Sequence, residues 1–118
     1  MENNLITHTK ISDTVLVVNP GKNLDNTNAH ELVAVITKAQ ETGYKYIIID
    51  MTPLEFISSA GVGAILGAIE TSREAGGDII LCNVAEVIRH ILEVLDLIDY
   101  LTIKDNLQEA GASCEVYK

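Results

Sequence analysis

The segment from Tyr46 to Leu66 constrains the fold more than any other part of the sequence. It opens with the apolar, β-branched run Tyr46–Met51, which is typical of a buried strand. Pro53 disfavours helical geometry at the residue before it, so the chain has to leave the strand and turn there. A helical apolar face follows, formed by Val62, Ile65, Leu66 and Ile69. The pattern predicts a strand, a short turn and a helix that starts at Ser58–Ser59.

The serine pair at the start of this helix has two interpretations. A serine is a favoured N-cap, because its oxygen accepts a hydrogen bond from a backbone N–H of the first turn. One serine is enough for that, and the pair is followed by Ala60, Gly61 and Gly63, which leave the site uncrowded. Each glycine costs a helix about 0.8–1 kcal/mol relative to alanine. Helix stability alone does not explain the segment, so a serine at the positive end of the helix dipole is a candidate site.

Residues 50–63, Asp-Met-Thr-Pro-Leu-Glu-Phe-Ile-Ser-Ser-Ala-Gly-Val-Gly, resemble the signature of STAS domains, and specifically that of the bacterial anti-sigma factor antagonists. The positions that match the family motif are Asp50, Phe56, Ser59, Gly61 and Gly63. The segment Gly21–Asp25 is similar to a second element of the family, and the order of strands and helices along nearly the whole chain also resembles it.

The resemblance implies a phosphorylation switch. Ser59 falls on the serine that a partner kinase phosphorylates in those proteins. Ser58 stands where they have an aspartate, and it is the alternative acceptor. The partner-binding residues that we predict, mainly from the matched positions, are Asp25, Asp50, Ser58, Ala60, Gly61 and Gly63.

The implied function is that of an anti-sigma factor antagonist. It would sequester an anti-sigma factor, itself an ATP-dependent serine kinase, while Ser59 is bare, and thereby release a sigma factor. A separate serine phosphatase would reverse the phosphorylation. The alternative is a STAS scaffold or adaptor subunit that is not phosphorylated and serves another bacterial signalling or transport complex.

The remainder of the chain predicts strands that alternate with helices. Leu5–Lys10 and Thr14–Asn19 predict a hairpin, and further strands are predicted at residues 78–82 and Leu101–Ile103. A first helix is predicted to end near Gly43. The predicted core stripe of this first helix consists of Ala29, Leu32, Val33 and Ile36. The predicted core stripe of a third helix consists of Val87, Ile88, Ile91, Leu92 and Leu95.

Capping residues are predicted for three helices. Asn28-x-x-Glu31 and Asn83-x-x-Glu86 have capping-box spacing. Asp105 is predicted to cap a last helical turn or two.

These elements predict an α/β fold. It consists of a mixed, mainly parallel sheet of four to five strands with about four helices, and the first strand lies at an antiparallel edge, as in STAS domains. We expect one domain over residues 1–118, in which about residues 112–118 form a loose tail.

Composition and motifs argue against several functions. The net charge of −9 opposes binding to nucleic acid and to anionic lipid. The amino terminus lacks the pattern of a secretory signal and no run is long enough to span a membrane, so we expect a cytoplasmic protein. We also expect a monomer. Cys82 and Cys114 are far apart, and the histidines, His8, His30 and His90, are dispersed, so we predict no metal and no cofactor.

An enzyme is also disfavoured by the sequence. Gly-x-Ser-x-Gly is absent around Ser59, and His90 is the only histidine that follows it. A phosphate-binding Gly-x-x-x-x-Gly-Lys-Ser/Thr loop is absent as well. We therefore predict a regulatory binding module without catalytic residues.

Overall fold

The structure is a computed structural model that describes residues 6–115. These residues form seven strands and four helices, in this order: β1 Thr7–Lys10, β2 Val15–Asn19, β3 Asn23–Leu24, α1 Ala29–Thr42, β4 Tyr46–Asp50, β5 Phe56–Ile57, α2 Ser59–Glu74, β6 Asp78–Cys82, α3 Glu86–Val94, β7 Thr102–Lys104 and α4 Leu107–Glu115. The predicted hairpin is confirmed, although its first strand begins at Thr7, and Leu5 lies outside the described residues.

Five of the strands form one sheet in the order β1-β2-β4-β6-β7. β1 pairs with β2 in the antiparallel direction, and β2, β4, β6 and β7 run parallel to one another. β3 and β5 form a separate two-residue parallel pair at the start of α2. The predicted mixed, mainly parallel sheet with an antiparallel edge is confirmed.

Each face of the five-stranded sheet packs against its own hydrophobic core. In β4, Ile47 and Ile49 pack with side chains of α1, α2 and α3, whereas Ile48 packs on the opposite face with Ala110 and Cys114 of α4. Successive strand residues point to opposite faces, so an uninterrupted apolar strand of this kind has to be covered on both sides. The helices α1, α2 and α3, which connect successive parallel strands, therefore lie in one layer, and α4, which follows the last strand, lies in the other.

The predicted capping box at α1 does not form. The side-chain oxygen of Asn28 accepts the Asp25 N–H at 2.9 Å, and its Nδ2 donates to the Asn23 carbonyl at 2.8 Å. No side chain caps the helix, although it ends as predicted, at a left-handed Gly43. The buried Asn28 amide instead holds the preceding loop, which offers it two backbone partners at once.

The predicted capping box at α3 is also wrong. The helix begins at Glu86 and Ala85 occupies the N-cap position, so Asn83 lies too early to cap it. Asn83 has a left-handed backbone, with φ 55°, and its Nδ2 donates to Asp50 Oδ1 at 3.1 Å. Asparagine tolerates this backbone region better than most residues, so it suits a turn that follows a strand.

Three apolar residues predicted to face the core lie at the surface. Val33 of α1 is 40% exposed, Val87 of α3 is 58% exposed, and Leu95 just beyond α3 is 50% exposed. The buried residues of α1 and α3 are Leu32, Ile36, Ala39, Ile88 and Leu92. A helix that lies on one face of a sheet buries a stripe only somewhat wider than 100°, so the neighbours of buried residues on either side remain outside it.

The carboxyl-terminal helix is longer than predicted. α4 runs from Leu107 to Glu115, and its first turn is capped by Asn106, whose side-chain oxygen accepts the Glu109 N–H at 2.9 Å, rather than by Asp105. Cys114 is buried against the sheet, so the loose tail predicted from about residue 112 is wrong for residues 112–115. Residues 116–118 lie outside the described part of the chain. No helix in residues 6–115 is long and apolar enough to cross a membrane.

Candidate functional site

The two serines at the start of α2 have different structural roles. Ser58 is the N-cap, with an extended backbone and an Oγ that accepts the Gly61 N–H at 3.3 Å. Ser59 is the first helical residue and is exposed, and within residues 6–115 its hydroxyl has no hydrogen-bond partner. The cap and the candidate site, which the sequence could not separate, are therefore neighbouring residues. Of the two hydroxyls, that of Ser59 is the one presented to solvent.

The loop that follows β2 is docked against the start of α2. β3 pairs with β5 so that Leu24 lies opposite Ile57, and the Ser58 N–H donates to the Leu24 carbonyl at 2.9 Å. Leu24 is fully buried beneath this contact. The Asn28 amide holds the same loop from its other side, so the position of the helix start depends on residues that are distant in sequence.

Gly61 allows this docking. A Cβ at Gly61 would lie 2.7 Å from the Leu24 carbonyl oxygen and 2.9 Å from Cγ1 of Ile57. Such distances are shorter than ordinary contacts, so only glycine fits without displacing the loop. Gly61 is buried, and its place among the partner-binding residues stays a prediction. Its close approach is to the chain's own backbone.

The exposed face of α2 is flat near the serines. Ala60 and Gly63 are exposed, and a Cβ at Gly63 or at Gly67 would meet nothing within 4 Å. Phe56, the only phenylalanine of the chain, is 51% exposed on β5, three residues before Ser59. Together Phe56, Ser59, Ala60, Gly63 and Gly67 form a surface that we call the α2 face. It combines an open helix surface with one exposed aromatic ring.

Asp25 lies next to this surface. It directly follows Leu24, whose carbonyl accepts the Ser58 N–H. Its Oδ1 accepts hydrogen bonds from the backbone N–H and the hydroxyl of Thr27. These bonds, the hydroxyl first, lower the pKa of the Asp25 carboxyl below its ordinary value of 3.8. Asp25 therefore places a negative charge beside the start of α2 at neutral pH.

Asp50 lies at the carboxyl end of β4, and its role in partner binding stays a prediction. Its Oδ1 accepts from the Thr52 N–H at 3.1 Å, from the Thr52 hydroxyl and from Asn83, which ties the end of β4 to the end of β6. By alternation with Ile48 its side chain lies on the α4 face of the sheet. Among the contacts of residues 6–115, none joins Asp50 to Ser58 or Ser59. Its local role is to fix the turn that leads to α2.

The two cysteines are buried away from the α2 face. Cys82 and Cys114 are not joined in a disulfide, and both are buried in the core under α4. Burial, and next the negative charge of Asp50, raises the pKa of the Cys82 thiol to about 11. In the described part of the chain no three His, Cys, Asp or Glu residues are grouped so as to hold a metal ion.

The sequence did not predict the roles of two asparagines that shape the site. Asn28 and Asn83 have short side chains with both a donor and an acceptor, and each joins backbone or side-chain groups across a loop. Their only sequence signal was the spacing to a glutamate three residues later, which predicts a helix cap instead. Leu24, which provides the carbonyl beneath Gly61, carries no sequence signal for this role.

Comparisons with known proteins agree with this geometry. An anti-sigma F factor antagonist of Paenibacillus polymyxa is 27% identical over 103 residues, which cover 86% of this chain and 88% of that protein. A solved Thermotoga maritima structure, assigned to the anti-sigma factor antagonists, is 26% identical with a TM-score of 0.84 and covers 92% of each chain. The phosphorylated form of the Bacillus cell fate determinant SpoIIAA is 21% identical with a TM-score of 0.75, covering 94% of this chain and 100% of that one.

The family assignment depends on the length of the match as well as on the motif. The family model described as the STAS domain matches residues 7–110, which include every strand of the structure and the whole of α1, α2 and α3. The chain therefore belongs to the STAS domain family.

Proposed function

We propose that this chain is an anti-sigma factor antagonist whose binding to an anti-sigma factor is switched by phosphorylation of Ser59. The observation that carries the proposal is the exposed Ser59 hydroxyl, which has no partner within residues 6–115 and lies at the first residue of a helix whose cap is already supplied by Ser58. The relative of Paenibacillus polymyxa supports the choice of partner class. The protein acts as a regulatory binding module rather than as an enzyme.

A phosphate on Ser59 leaves the fold intact. It lies at the positive end of the helix dipole, where an exposed negative charge gains about 0.3–1 kcal/mol. Ser59 is exposed, it makes no hydrogen bond within residues 6–115 that the modification would break, and the N-cap bond of Ser58 is untouched. The switch therefore operates on the surface and not through unfolding.

The effect on a partner is electrostatic. A phosphoserine carries about −1.5 to −2 charges, which a partner covering the α2 face has to desolvate or match with a cation. Asp25 directly follows Leu24, whose carbonyl accepts the Ser58 N–H, and its negative charge adds to the repulsion. A loss of about 3 kcal/mol weakens binding more than a hundredfold, which is enough to release the partner.

The resemblance to the anti-sigma factor antagonists implies the partner and the reversing enzyme. The anti-sigma factor is itself an ATP-dependent serine kinase, which binds bare Ser59, phosphorylates it and then dissociates. A separate serine phosphatase restores the bare form. The released anti-sigma factor is then free to bind its sigma factor again.

Ser59 is tested as the acceptor with variants that keep the helix cap. In Ser58→Asp the carboxylate caps α2 as serine does, so the fold is kept while the second hydroxyl is removed. We expect the cognate kinase to phosphorylate Ser58→Asp but not Ser59→Ala, as measured by intact mass and phosphopeptide mapping. If Ser59→Ala is phosphorylated and Ser58→Asp is not, the acceptor is Ser58.

Binding is tested by titration calorimetry against the cognate anti-sigma factor with nucleotide present. We expect Ser59→Ala to bind like the bare protein and Ser59→Glu to bind at least tenfold more weakly. Phe56→Ala is expected to weaken binding by about 2 kcal/mol because exposed aromatic residues are frequent anchors of interfaces. Val94→Ala on α3, also an exposed apolar residue, is the matched control and is expected to bind normally.

One feature of the sequence favours a second function, that of a scaffold subunit. Ser58 replaces the aspartate of the family motif, and this removes a charge that a kinase could recognise. In that case the chain is a STAS scaffold subunit that presents the α2 face to a fixed partner. Equal affinities of Ser59→Ala and Ser59→Glu, together with the absence of phosphate on protein purified from its own cells, would favour the scaffold.

A further inference from the structure

A groove between the β1–β2 hairpin and α1 has no role in the function proposed above. Its volume is about 320 Å³, close to the lower end of the range for small-molecule sites. The apolar part of its lining comes from Leu16 of β2, Val35 and Ala39 of α1, and Tyr44 beyond α1. Leu16 and Ala39 belong to the main core, so the floor of the groove is continuous with packed apolar side chains. The groove can therefore bury a short apolar chain.

The rim of this groove is cationic. His8 and Lys10 alternate along β1 so that both face α1, and Lys38 lies across from them on the helix. Thr42, one turn after Lys38, completes the lining, and none of the eight residues that line the groove is acidic. The chain as a whole has 17 acidic and 8 basic residues, so two lysines and a histidine around an apolar floor contrast with the rest of the surface.

Lys10 remains available to a ligand. Its Nζ lies 3.1 Å from Asp13 Oδ1, and this contact raises the pKa of the Lys10 ammonium. The Asp13 side chain is 94% exposed, however, and exposed ion pairs of this kind contribute little. The Lys10 side chain can exchange this partner for another anion at the rim.

We propose that the groove binds a free medium-chain fatty acid. The apolar floor takes the hydrocarbon chain, and the carboxylate lies at the rim against Lys38, Lys10 and His8. Apolar area and positive charge are both needed to explain this arrangement. An uncharged chain would leave the two lysines without a function, and a small anion would leave the apolar floor uncovered.

A free fatty acid fits better than a membrane surface or a protein. The net charge of −9 opposes approach to an anionic bilayer, whereas a single carboxylate feels mainly the local rim. The groove is concave and small, so it suits one chain rather than a flat interface. It also lies away from the α2 face, because the carboxyl end of α1 leads into the amino end of β4 while Ser59 follows the carboxyl end of that strand.

The test is titration of the full chain with decanoate, kept below its micellar concentration, followed by calorimetry and by amide chemical shifts. We expect saturable binding, with shifts concentrated at β1, β2 and the second half of α1. Each buried methylene changes affinity by about fourfold, so octanoate is expected to bind up to about 15-fold more weakly. Decanol, which has the chain without the charge, is expected to bind at least tenfold more weakly than decanoate.

Variants with matched controls locate the site. Thr42→Trp fills the groove and is expected to abolish binding, whereas Thr71→Trp on α2 is expected to bind normally. The two threonines are comparable because each is exposed and donates its hydroxyl to the carbonyl four residues earlier. Lys38→Glu is expected to lower decanoate affinity at least tenfold, and Lys104→Glu, on the opposite edge strand of the sheet, is expected to leave it unchanged.

Several outcomes overturn the proposal. The absence of saturable binding, equal affinities for decanol and decanoate, or equal effects of Lys38→Glu and Lys104→Glu each remove one of its two supports. If anionic vesicles bind more tightly than decanoate, the surface recognises membranes instead. If only a variant that lacks residues 1–5 binds decanoate, the chain's own amino-terminal segment is the occupant.

Discussion

Alanine substitutions at two glycines of α2 are predicted to change stability in opposite directions. Gly61 and Gly67 are in the same helix, and alanine is a better helix former than glycine by about 0.8–1 kcal/mol in a helix interior. At Gly67 an added Cβ meets nothing within 4 Å, so nothing offsets this gain. Gly67→Ala is therefore expected to raise the free energy of unfolding by close to that amount.

At Gly61 the same methyl group meets a fixed backbone. Its Cβ would be 2.7 Å from the Leu24 carbonyl oxygen, and ordinary carbon–oxygen contacts are about 3.3–3.6 Å, so the loop or the helix has to move by more than about half an ångström. Leu24 is fully buried and its carbonyl accepts the Ser58 N–H at 2.9 Å. The movement therefore strains packing, at about 1–3 kcal/mol, and weakens a hydrogen bond that contributes about 1 kcal/mol.

The net expectation for Gly61→Ala is a loss of about 1–3 kcal/mol after the helix-propensity gain is subtracted. The two variants are compared by urea unfolding followed by circular dichroism, and in thermal melts each kcal/mol corresponds to about 4 °C for a domain of this size. If Gly61→Ala is as stable as the parent protein or more stable, the contact between Leu24 and the start of α2 does not constrain the helix. Gly63→Ala, also in open space, is the second control and is expected to behave like Gly67→Ala.

Three further predictions concern stability and thiol chemistry. Gly77→Ala is expected to cost at least about 3 kcal/mol in urea unfolding, because its Cβ would lie 1.8 Å from the Lys45 carbonyl oxygen; Gly111→Ala, in open space, is the control. Arg73→Met is expected to cost about 1.5–3 kcal/mol, since it removes the bonds of the guanidinium to Asp78 at 2.9 Å and to the Tyr100 carbonyl at 2.8 Å; an unchanged midpoint would show that this network is not stabilising. The Cys82 thiol, with its pKa raised from 9.0 to about 11, is expected to resist alkylation at pH 8 until the protein unfolds. Its contribution to the free energy of unfolding is expected to be present below pH 9 and to be lost as the pH rises through 11. The Cys82→Ala variant should lack this pH dependence.

The sequence predicted the parts of the fold that follow from periodicity. β4 and α2 lie where the apolar run and the helical spacing placed them, because each is long enough for its pattern to be unambiguous. The capping boxes at Asn28 and Asn83 failed for a physical reason. An asparagine beside a loop can bond to whichever backbone group comes within reach, and tertiary contacts decide which one that is.

The candidate site was predictable at the level of the segment but not at the level of each residue. The motif resemblance identified Ser59, yet the sequence could not show that Ser58 supplies the cap and leaves Ser59 free of one. Gly61 matched the motif for a reason that no local pattern reveals, namely the approach of the Leu24 carbonyl from another segment. Asp50 likewise matched the motif, but its contacts show that it holds two strand ends together.

The replacement of the family aspartate by Ser58 has a defined consequence for the proposed switch. Aspartate and serine are comparable N-caps, so the start of α2 is held equally well by either residue. The exchange removes one negative charge directly before Ser59, on a chain that already carries −9. The bare surface is therefore less repulsive to a partner, while the phosphorylated surface gains the same −1.5 to −2 charges as before. We expect Ser58→Asp to lower the affinity of the bare protein for its partner more than that of the Ser59→Glu protein, and a double-mutant cycle of the two positions measures this difference in one set of calorimetric titrations. Additive effects at the two positions would mean that the charge at residue 58 is not covered by the same part of the interface.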